Sequence, residues 1–313
     1  MKKTLIALVT LFSTTAAVAD SALDLSLRTA VIDGDYKEVK RLVNMGADVN
    51  TSGKLGHTPL IYAAEDGQLD IAQLLLEHGA RINRQTDGGY TALLAAADEG
   101  SMPLISLLLK AGADTHIKTR NGMDAMMIAI RSGEADVISM LMAYNSNINT
   151  SDRHGRTALM IAASQGNMDA IQMLLLADAG MNIRDKNGLT ALMIAAEKQD
   201  LKALMALLNR GASTLVTDDH GATALHYAVE RSNTETAVAL LGHGAILDHA
   251  DHDGWTPLME AVSRGNSALI DLLVKRGANL LLRDSEGLSL SRIAVINGHH
   301  SLAKKLRELI QQQ

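Results

Sequence analysis

Apolar and polar positions follow one order along this chain, and that order returns every 33 residues without an insertion. The short polar residues that mark each return are Thr58, Thr91, Asp124, Thr157, Thr190, Thr223, Thr256 and Ser289. A glycine lies two positions before each marker, an alanine five positions after it and a leucine seventeen positions after it. Spacing this regular predicts one supersecondary unit that is used many times.

Two short helices are predicted in each repeat. The marker is a helix N-cap type, because its side-chain oxygen can accept from an unpaired N–H of the first turn. Pro59 and Pro257 follow it at the first helical position, where no N–H is needed. The glycine fits a turn with positive φ or little clearance, and the alanine fits a first helix that approaches its neighbour closely. The leucine belongs to a second helix with a continuous apolar face.

The second helix is predicted to end at a residue that tolerates the left-handed conformation. Those residues are Gly46, Gly79, Gly112, Asn145, Asp178, Gly211, Gly244 and Gly277. The register also extends backwards through Ala30 and Leu42, so a further repeat begins near Ser21. About nine repeats are expected, starting near residues 21, 53, 86, 119, 152, 185, 218, 251 and 284. The predicted fold class is an all-α repeat solenoid, in which each repeat buries its apolar side against its neighbours.

Three segments carry a specific resemblance. Residues 56–60 (GHTPL), 254–258 (GWTPL) and 74–80 (LLLEHGA) resemble the signature of the ankyrin-repeat family. The resemblance covers Ser21 to about Ile310. It implies stacked ankyrin repeats, each with a β-turn finger, two antiparallel helices and a loop. It also implies a protein-binding concave surface formed by the finger tips and the exposed sides of the first helices.

Some positions depart from the family pattern. The family histidine after Thr-Pro-Leu remains only as His226, and Gln199 and Ser232 replace a glycine between the two helices, which is expected to loosen that part of the stack. Methionine takes the histidine position at Met127, Met160, Met193 and Met259. A methionine stripe at repeat spacing is typical of core filling, because the thioether adapts to gaps. Copper binding or oxidant scavenging is the alternative.

The first residues resemble a secretory signal peptide. Lys2 and Lys3 precede the apolar stretch 5–12, and residues 17–19 (AVA) form a cleavage signal. Residues 1–19 are therefore predicted to be removed, leaving an ankyrin-repeat domain at 20–313 in the bacterial periplasm. An uncleaved anchor is the alternative. No cysteine is present, and no later segment is long and apolar enough to span a bilayer.

Charge and composition narrow the partner class. Without Lys2 and Lys3 the chain has 27 basic and 35 acidic residues, a net charge of −8. An acidic chain with five Tyr, one Trp and one Phe does not favour nucleic acid or an anionic membrane as partner. A protein partner is expected, with no membrane insertion after signal cleavage, no cofactor, and a monomeric chain.

The implied binding surface is graded in charge. Its N-terminal part is acidic, at Glu65, Asp66, Asp98 and Glu99. The predicted partner-binding residues follow: Tyr90, Arg120, Met123, Arg131, Arg153, His154, Arg156, His220, Arg231, His252, Trp255 and Arg264. Tyr, Trp, Met and Arg are enriched where protein interfaces concentrate binding energy. The alternative is a set of solvated fingers with one half-buried indole ring.

Two local features suggest other chemistry. Glu260 stands at a mostly apolar position, and Arg264, four residues on, is its expected ion-pair partner. Imidazole and carboxylate groups are ligands for transition metals, and several of them lie close together in the sequence near the C-terminus. They are His220, His243, Asp248, His249, Asp251, His252 and Asp253. No tetrahedral ligand set follows from their spacing.

No enzyme motif is present: neither G-x-S-x-G, nor a P-loop, nor H-E-x-x-H, nor a cysteine nucleophile. The sequence therefore predicts a non-enzymatic binding scaffold. The exported bacterial ankyrin proteins that it resembles include ones associated with periplasmic catalase and oxidative-stress defence, and immunity proteins that neutralise delivered effectors. Metal or redox buffering by His and Met, and a purely structural spacer, are the alternative functions.

Overall fold

The computed structural model describes residues 22–144 and 147–311. The predicted signal peptide, residues 1–19, and Asn145 lie outside the described residues. The chain divides into two compact units, which we call the N-terminal half (residues 1–146) and the C-terminal half (residues 147–313). Each half is described by itself below.

The described part of the N-terminal half contains four pairs of consecutive helices and a short 3-10 turn at Lys54–Gly56. The helices are α1 (Ala22–Ile32), α2 (Tyr36–Asn44), α3 (Pro59–Glu65), α4 (Leu69–Glu77), α5 (Ala92–Asp98), α6 (Met102–Lys110), α7 (Ala125–Ser132) and α8 (Ala135–Ala143). Along the stack α3 packs on α5, and α5 packs on α7. The first helices therefore form one layer of this half.

The described part of the C-terminal half contains five such pairs. The helices are α9 (Ala158–Gln165), α10 (Met168–Leu176), α11 (Ala191–Glu197), α12 (Leu201–Asn209), α13 (Ala224–Glu230), α14 (Thr234–Gly242), α15 (Pro257–Ser263), α16 (Ser267–Lys275), α17 (Leu290–Ile296) and α18 (His300–Gln311). Extended pairing among the described residues is limited to isolated bridges. The predicted fold class, an all-α repeat solenoid, is confirmed.

The repeat markers act as helix caps. The Thr58 hydroxyl accepts from the backbone N–H of Ile61 at 3.4 Å, and Asp124 accepts from that of Met127 at 2.9 Å. Thr91, Thr157, Thr190 and Thr256 make the same bond in their repeats. Ser289 makes no side-chain cap bond, so the cap prediction is wrong there.

The alanine of each repeat is fully buried between first helices; Ala63, Ala96 and Ala195, for example, have 0% exposure. The glycine before each marker has positive φ, for example 81° at Gly188. Gln199 and Ser232 adopt φ of 60° and 58°, so these residues keep the left-handed turn that glycine forms elsewhere. The backbone there follows the repeat at some cost in strain.

The methionine stripe lies in the core. Met127, Met160, Met193 and Met259 are at most 1% exposed. The sulfur of Met160 accepts from the Thr157 backbone N–H at 3.4 Å, and Nδ1 of His226 accepts from the Thr223 N–H at 3.1 Å. Met160, and Met193 in the same way, thus satisfy the N-cap N–H that His226 satisfies in its own repeat. The burial of all four methionines confirms the core interpretation.

Backbone and amide hydrogen bonds link successive repeats at both edges of the stack. In the fingers, for example, the N–H of Lys186 donates to the carbonyl of His154 at 2.9 Å. In the loops after the second helices, a side-chain oxygen accepts from a backbone N–H 31 residues on. These pairs are Asn50–Arg81, Asn83–Asp114, Asn149–Gly180, Asn182–Ser213 and Asp248–Asn279. This amide ladder was not predicted, although asparagine recurs at the repeat spacing.

Candidate interaction face

We define the finger–helix face as the finger turns together with the solvent-exposed sides of the first helices. In the N-terminal half it contains four of the predicted partner-binding residues, namely Tyr90, Arg120, Met123 and Arg131. Tyr90 is half-buried and Arg120 is exposed. Met123 is only 8% exposed, so it offers a partner little surface. It lies in the core end of the finger, with its sulfur 3.7 Å from a guanidinium nitrogen of Arg131.

Arg131 is held by three neighbours. Its guanidinium lies 3.0 Å from the Asp98 carboxylate of the preceding repeat. The pKa of Arg131 is raised, first by a hydrogen bond with Tyr90 and to a smaller extent by the one with Asp98, whereas desolvation lowers it. One cluster is therefore formed by Tyr90, Met123 and Arg131. It holds the planar guanidinium group of Arg131 in a fixed position at the end of α7.

The basic fingers of the C-terminal half have two kinds of residue. Arg153 and His154 are exposed at the finger tip. Arg156 instead makes two hydrogen bonds, at 2.9 and 2.8 Å, with the buried carboxylate of Asp152. The guanidinium group of Arg156 therefore stabilises the finger turn. This structural role explains an arginine at position 156 without any contact to a partner.

Equivalent aspartates hold the later fingers. One Asp218 oxygen accepts from the backbone N–H groups of His220 and Ala222, both at 2.8 Å, and the other accepts from the Tyr227 hydroxyl at 2.6 Å. Burial and this hydrogen bond raise the pKa of Tyr227. His220 and His252 are exposed on adjacent fingers, joined by a backbone bond of 2.8 Å.

An ion-pair network connects the ends of the first helices in the C-terminal half. Arg231 lies 2.8 Å from Glu197 of the preceding repeat. Arg264 contacts Glu260 on its own helix and lies 3.7 Å from Glu230 of the preceding repeat. The expected local pair of Glu260 and Arg264 is confirmed. Because these pairs are exposed, each contributes at most about 1 kcal/mol.

Trp255 forms one wall of a groove of about 290 Å³, which Glu230 and Arg264 also line. The half-buried indole is fixed through its backbone: the Trp255 N–H donates to Asp251 at 2.8 Å, and its carbonyl accepts from Nε2 of His226 at 3.2 Å. Burial lowers the pKa of His226, which favours the neutral ring that this bonding pattern requires.

A second groove, of about 510 Å³, lies on the finger–helix face of the N-terminal half, and sequence analysis did not identify it. Leu55, Glu65 and Tyr90 are among the residues that line it. The His57 ring stacks on Tyr62 with centroids 5.1 Å apart, and its Nε2 lies 3.1 Å from Glu65. Tyr90 stands immediately before its N-cap threonine, as Trp255 does, so each half presents an aromatic residue at the same register beside a groove.

Leu55 combines 68% exposure with a φ of 58°, a conformation that costs a leucine roughly 1–2 kcal/mol. Leu55→Gly is therefore expected to raise the free energy of unfolding by about 0.5–1 kcal/mol, after the entropy loss of glycine is subtracted. Urea unfolding followed by circular dichroism measures this difference. Leu215→Gly is the control, because Leu215 is 56% exposed but has negative φ. A stability gain in both variants, or in neither, would contradict the assignment of strain to Leu55.

The histidine-rich fingers do not bring together a metal-ligand set in the part of the chain that the structure describes. His243 Nδ1 lies 2.8 Å from the Ala239 carbonyl oxygen, and His249 Nε2 lies 3.0 Å from that of Gly221. Each of these rings directs one nitrogen at the backbone. Among residues 22–144 and 147–311, no helix combines the length and apolar content needed to cross a bilayer.

Comparison with known families gives one result. A family model described as ankyrin repeats (three copies) matches residues 27–119, 93–185, 160–251 and 240–312. The matched stretches overlap and together cover nearly all the described residues. A comparison with curated proteins finds no match.

Proposed function

Since the chain belongs to the ankyrin-repeat family, whose repeats are generally protein–protein interaction scaffolds, we propose that it is a non-enzymatic scaffold that binds a partner protein along its finger–helix face. The observation that carries the proposal is the recurrence of an aromatic residue at the rim of a groove, Tyr90 in one half and Trp255 in the other. Aromatic and arginine side chains in such positions are typical of interface hot spots.

Ordered charges support the same face. Arg131, Arg231 and Arg264 are held by carboxylates of neighbouring repeats, so their guanidinium groups lose little side-chain entropy when a partner binds. Arg120, Arg153 and His154 are exposed on the fingers, where charge steers association more than it adds affinity. Reversal of charge at Arg153 should therefore slow association. A pure spacer predicts no effect of this change.

Site-specific photo-crosslinking tests the proposed face. A benzophenone amino acid at position 90 or 255, in cells that express the full chain, is expected to give a discrete covalent adduct with one partner. Position 144 is the matched control, because Tyr144 is 41% exposed at the end of the second helix α8. Adducts of equal yield at position 144, or none at positions 90 and 255, would contradict the assignment of the face.

Export to the periplasm is part of the proposal and is supported by the basic, apolar and small-residue segments at positions 2–19. N-terminal sequencing of the protein from a periplasmic extract is expected to begin at Asp20. Recovery of chains that begin at Met1 in the membrane fraction would instead favour an uncleaved anchor.

Two partner classes fit an exported ankyrin scaffold: a component of oxidative-stress defence, and a toxic effector delivered by other cells. Peroxide sensitivity of a deletion strain supports the first class, and killing of that strain by its siblings supports the second. The buried thioethers of Met127, Met160, Met193 and Met259 do not favour the alternative of redox buffering, because they are at most 1% exposed.

A further inference from the structure

The ends of the first helices carry a recurring pair of positions in the C-terminal half. A glutamate stands seven residues after the N-cap, and an arginine stands eight residues after the N-cap of the next repeat. Glu197 and Arg231 form this pair at 2.8 Å, and Glu230 and Arg264 form it at 3.7 Å. In both cases the guanidinium group of the following repeat forms an ion pair with the glutamate of the preceding repeat.

The same two positions hold Glu65 and Glu99 in the N-terminal half, so the expected cation is replaced by a second carboxylate. Burial is the main cause that raises the pKa of Glu65; the His57 ring lowers this pKa, and repulsion from Asp66 and Glu99 makes a smaller contribution that raises it. His57, 3.1 Å away, is a partner of the Glu65 side chain, which remains 39% exposed. Glu65 therefore corresponds to Glu197 and Glu230, and Glu99 stands where the C-terminal half has the arginine partner of each of those glutamates.

The groove at this site offers both charge and apolar surface. Five carboxylates line it or lie beside its lining residues: Glu65, Asp66, Asp87, Asp98 and Glu99. Two guanidinium groups, those of Arg120 and Arg131, oppose them. Arg131 is already paired with Asp98, so an excess of negative charge remains around Glu65. Exposed Leu55 and half-buried Tyr90 form apolar rims.

We propose that this groove binds an arginine side chain of the partner protein, with an apolar residue next to it in the partner sequence. The guanidinium would lie beside Glu65 as Arg231 lies beside Glu197, and the apolar neighbour would contact Leu55. Arginine fits better than lysine because its planar fork pairs with carboxylates in two-point fashion and stacks on an aromatic ring such as Tyr90. The inference rests on the proposed scaffold function and specifies the chemistry of its partner.

Two synthetic peptides test this charge requirement on the full chain. One is acetyl-Ala-Leu-Arg-Ala amide, and the other has citrulline, a neutral near-isostere, in place of arginine. Each is titrated to a few millimolar while amide signals are followed by NMR. The arginine peptide is expected to shift the signals of Gly88, Gly89 and Tyr90, and the citrulline peptide to bind at least about tenfold more weakly.

A single substitution tests the position. Glu99→Arg supplies the missing guanidinium from the chain itself, so it is expected to reduce arginine-peptide affinity at least about tenfold while the urea midpoint is unchanged or raised. Glu77→Arg makes the same charge change on an exposed residue at the end of the second helix α4, and should retain affinity within about twofold.

Equal binding of the arginine and citrulline peptides, or no signal shift with either, would overturn the proposal. So would full affinity in Glu99→Arg, or an equal loss in Glu77→Arg. The photo-crosslinking result separates this failure from that of the scaffold function. Adducts at positions 90 and 255 without peptide binding refute only the arginine site, whereas peptide binding without adducts contradicts the assignment of the finger–helix face as the scaffold's binding surface.

Discussion

Gly188→Ala is expected to lower the free energy of unfolding of the C-terminal half by roughly 3 kcal/mol. Gly188 has a φ of 81°, which strains any residue with a Cβ. The added Cβ would also lie 2.6 Å from the backbone nitrogen of Asp219 and 2.7 Å from the Cα of Asp218. Backbone atoms cannot rotate away as a side chain can, so the fingers would have to separate. Urea unfolding monitored by circular dichroism measures the loss.

Gly211→Ala is the matched control, because it separates the two costs. Gly211 has a φ of 89°, but no heavy atom lies within 4 Å of its ideal Cβ. Only the left-handed conformation is penalised there, so a loss of about 1 kcal/mol is expected. Equal losses in the two variants would show that contact between fingers does not limit residue 188.

Ala195→Leu is expected to cost about 2–3 kcal/mol, because it adds three methyl-sized groups to a fully packed layer. Ala195 has 0% exposure on α11, which packs between α9 and α13. The larger side chain would force these helices apart or leave its rotamer minimum. The thermal midpoint, measured by circular dichroism, reports the change.

Ala177→Leu controls for the change of residue type. Ala177 is exposed at the C-terminal end of α10, so the added atoms would extend into solvent. A stability change within about 0.5 kcal/mol is expected there. If Ala195→Leu were equally mild, the buried alanine would not set the separation between first helices.

The fold could be predicted because its determinants are local in sequence and recur at a fixed spacing. Thr58 caps its helix through a residue three positions away. Glycine is required at position 188 because of its own positive φ and its close contact with the next finger. These requirements are present in each repeat, so periodicity reveals them. Gln199 and Ser232 show the limit: the sequence predicted a loosened stack, whereas the structure keeps the left-handed turn.

The candidate face was less predictable, since its chemistry depends on side chains that meet across repeats. The sequence indicated that Met123 and Arg156 were available to a partner. The structure buries Met123 under Arg131 and pairs Arg156 with Asp152. Side-chain rotamers decide such pairings, and a residue list does not contain them. The pairs Glu197–Arg231 and Glu230–Arg264 do have a sequence signal, because opposite charges recur 34 residues apart.

The thioethers that complete the helix caps have a chemical consequence. Met160 and Met193 are 1% exposed, whereas Met45 is 58% exposed, so peroxide can reach Met45 in the intact protein but the other two only when a repeat opens. Conversion to sulfoxide would replace a soft acceptor with a larger, polar group and hinder closure of the repeat. The oxidation state of Met160 and Met193 would thus be a lasting chemical record of past unfolding, readable by peptide mass mapping.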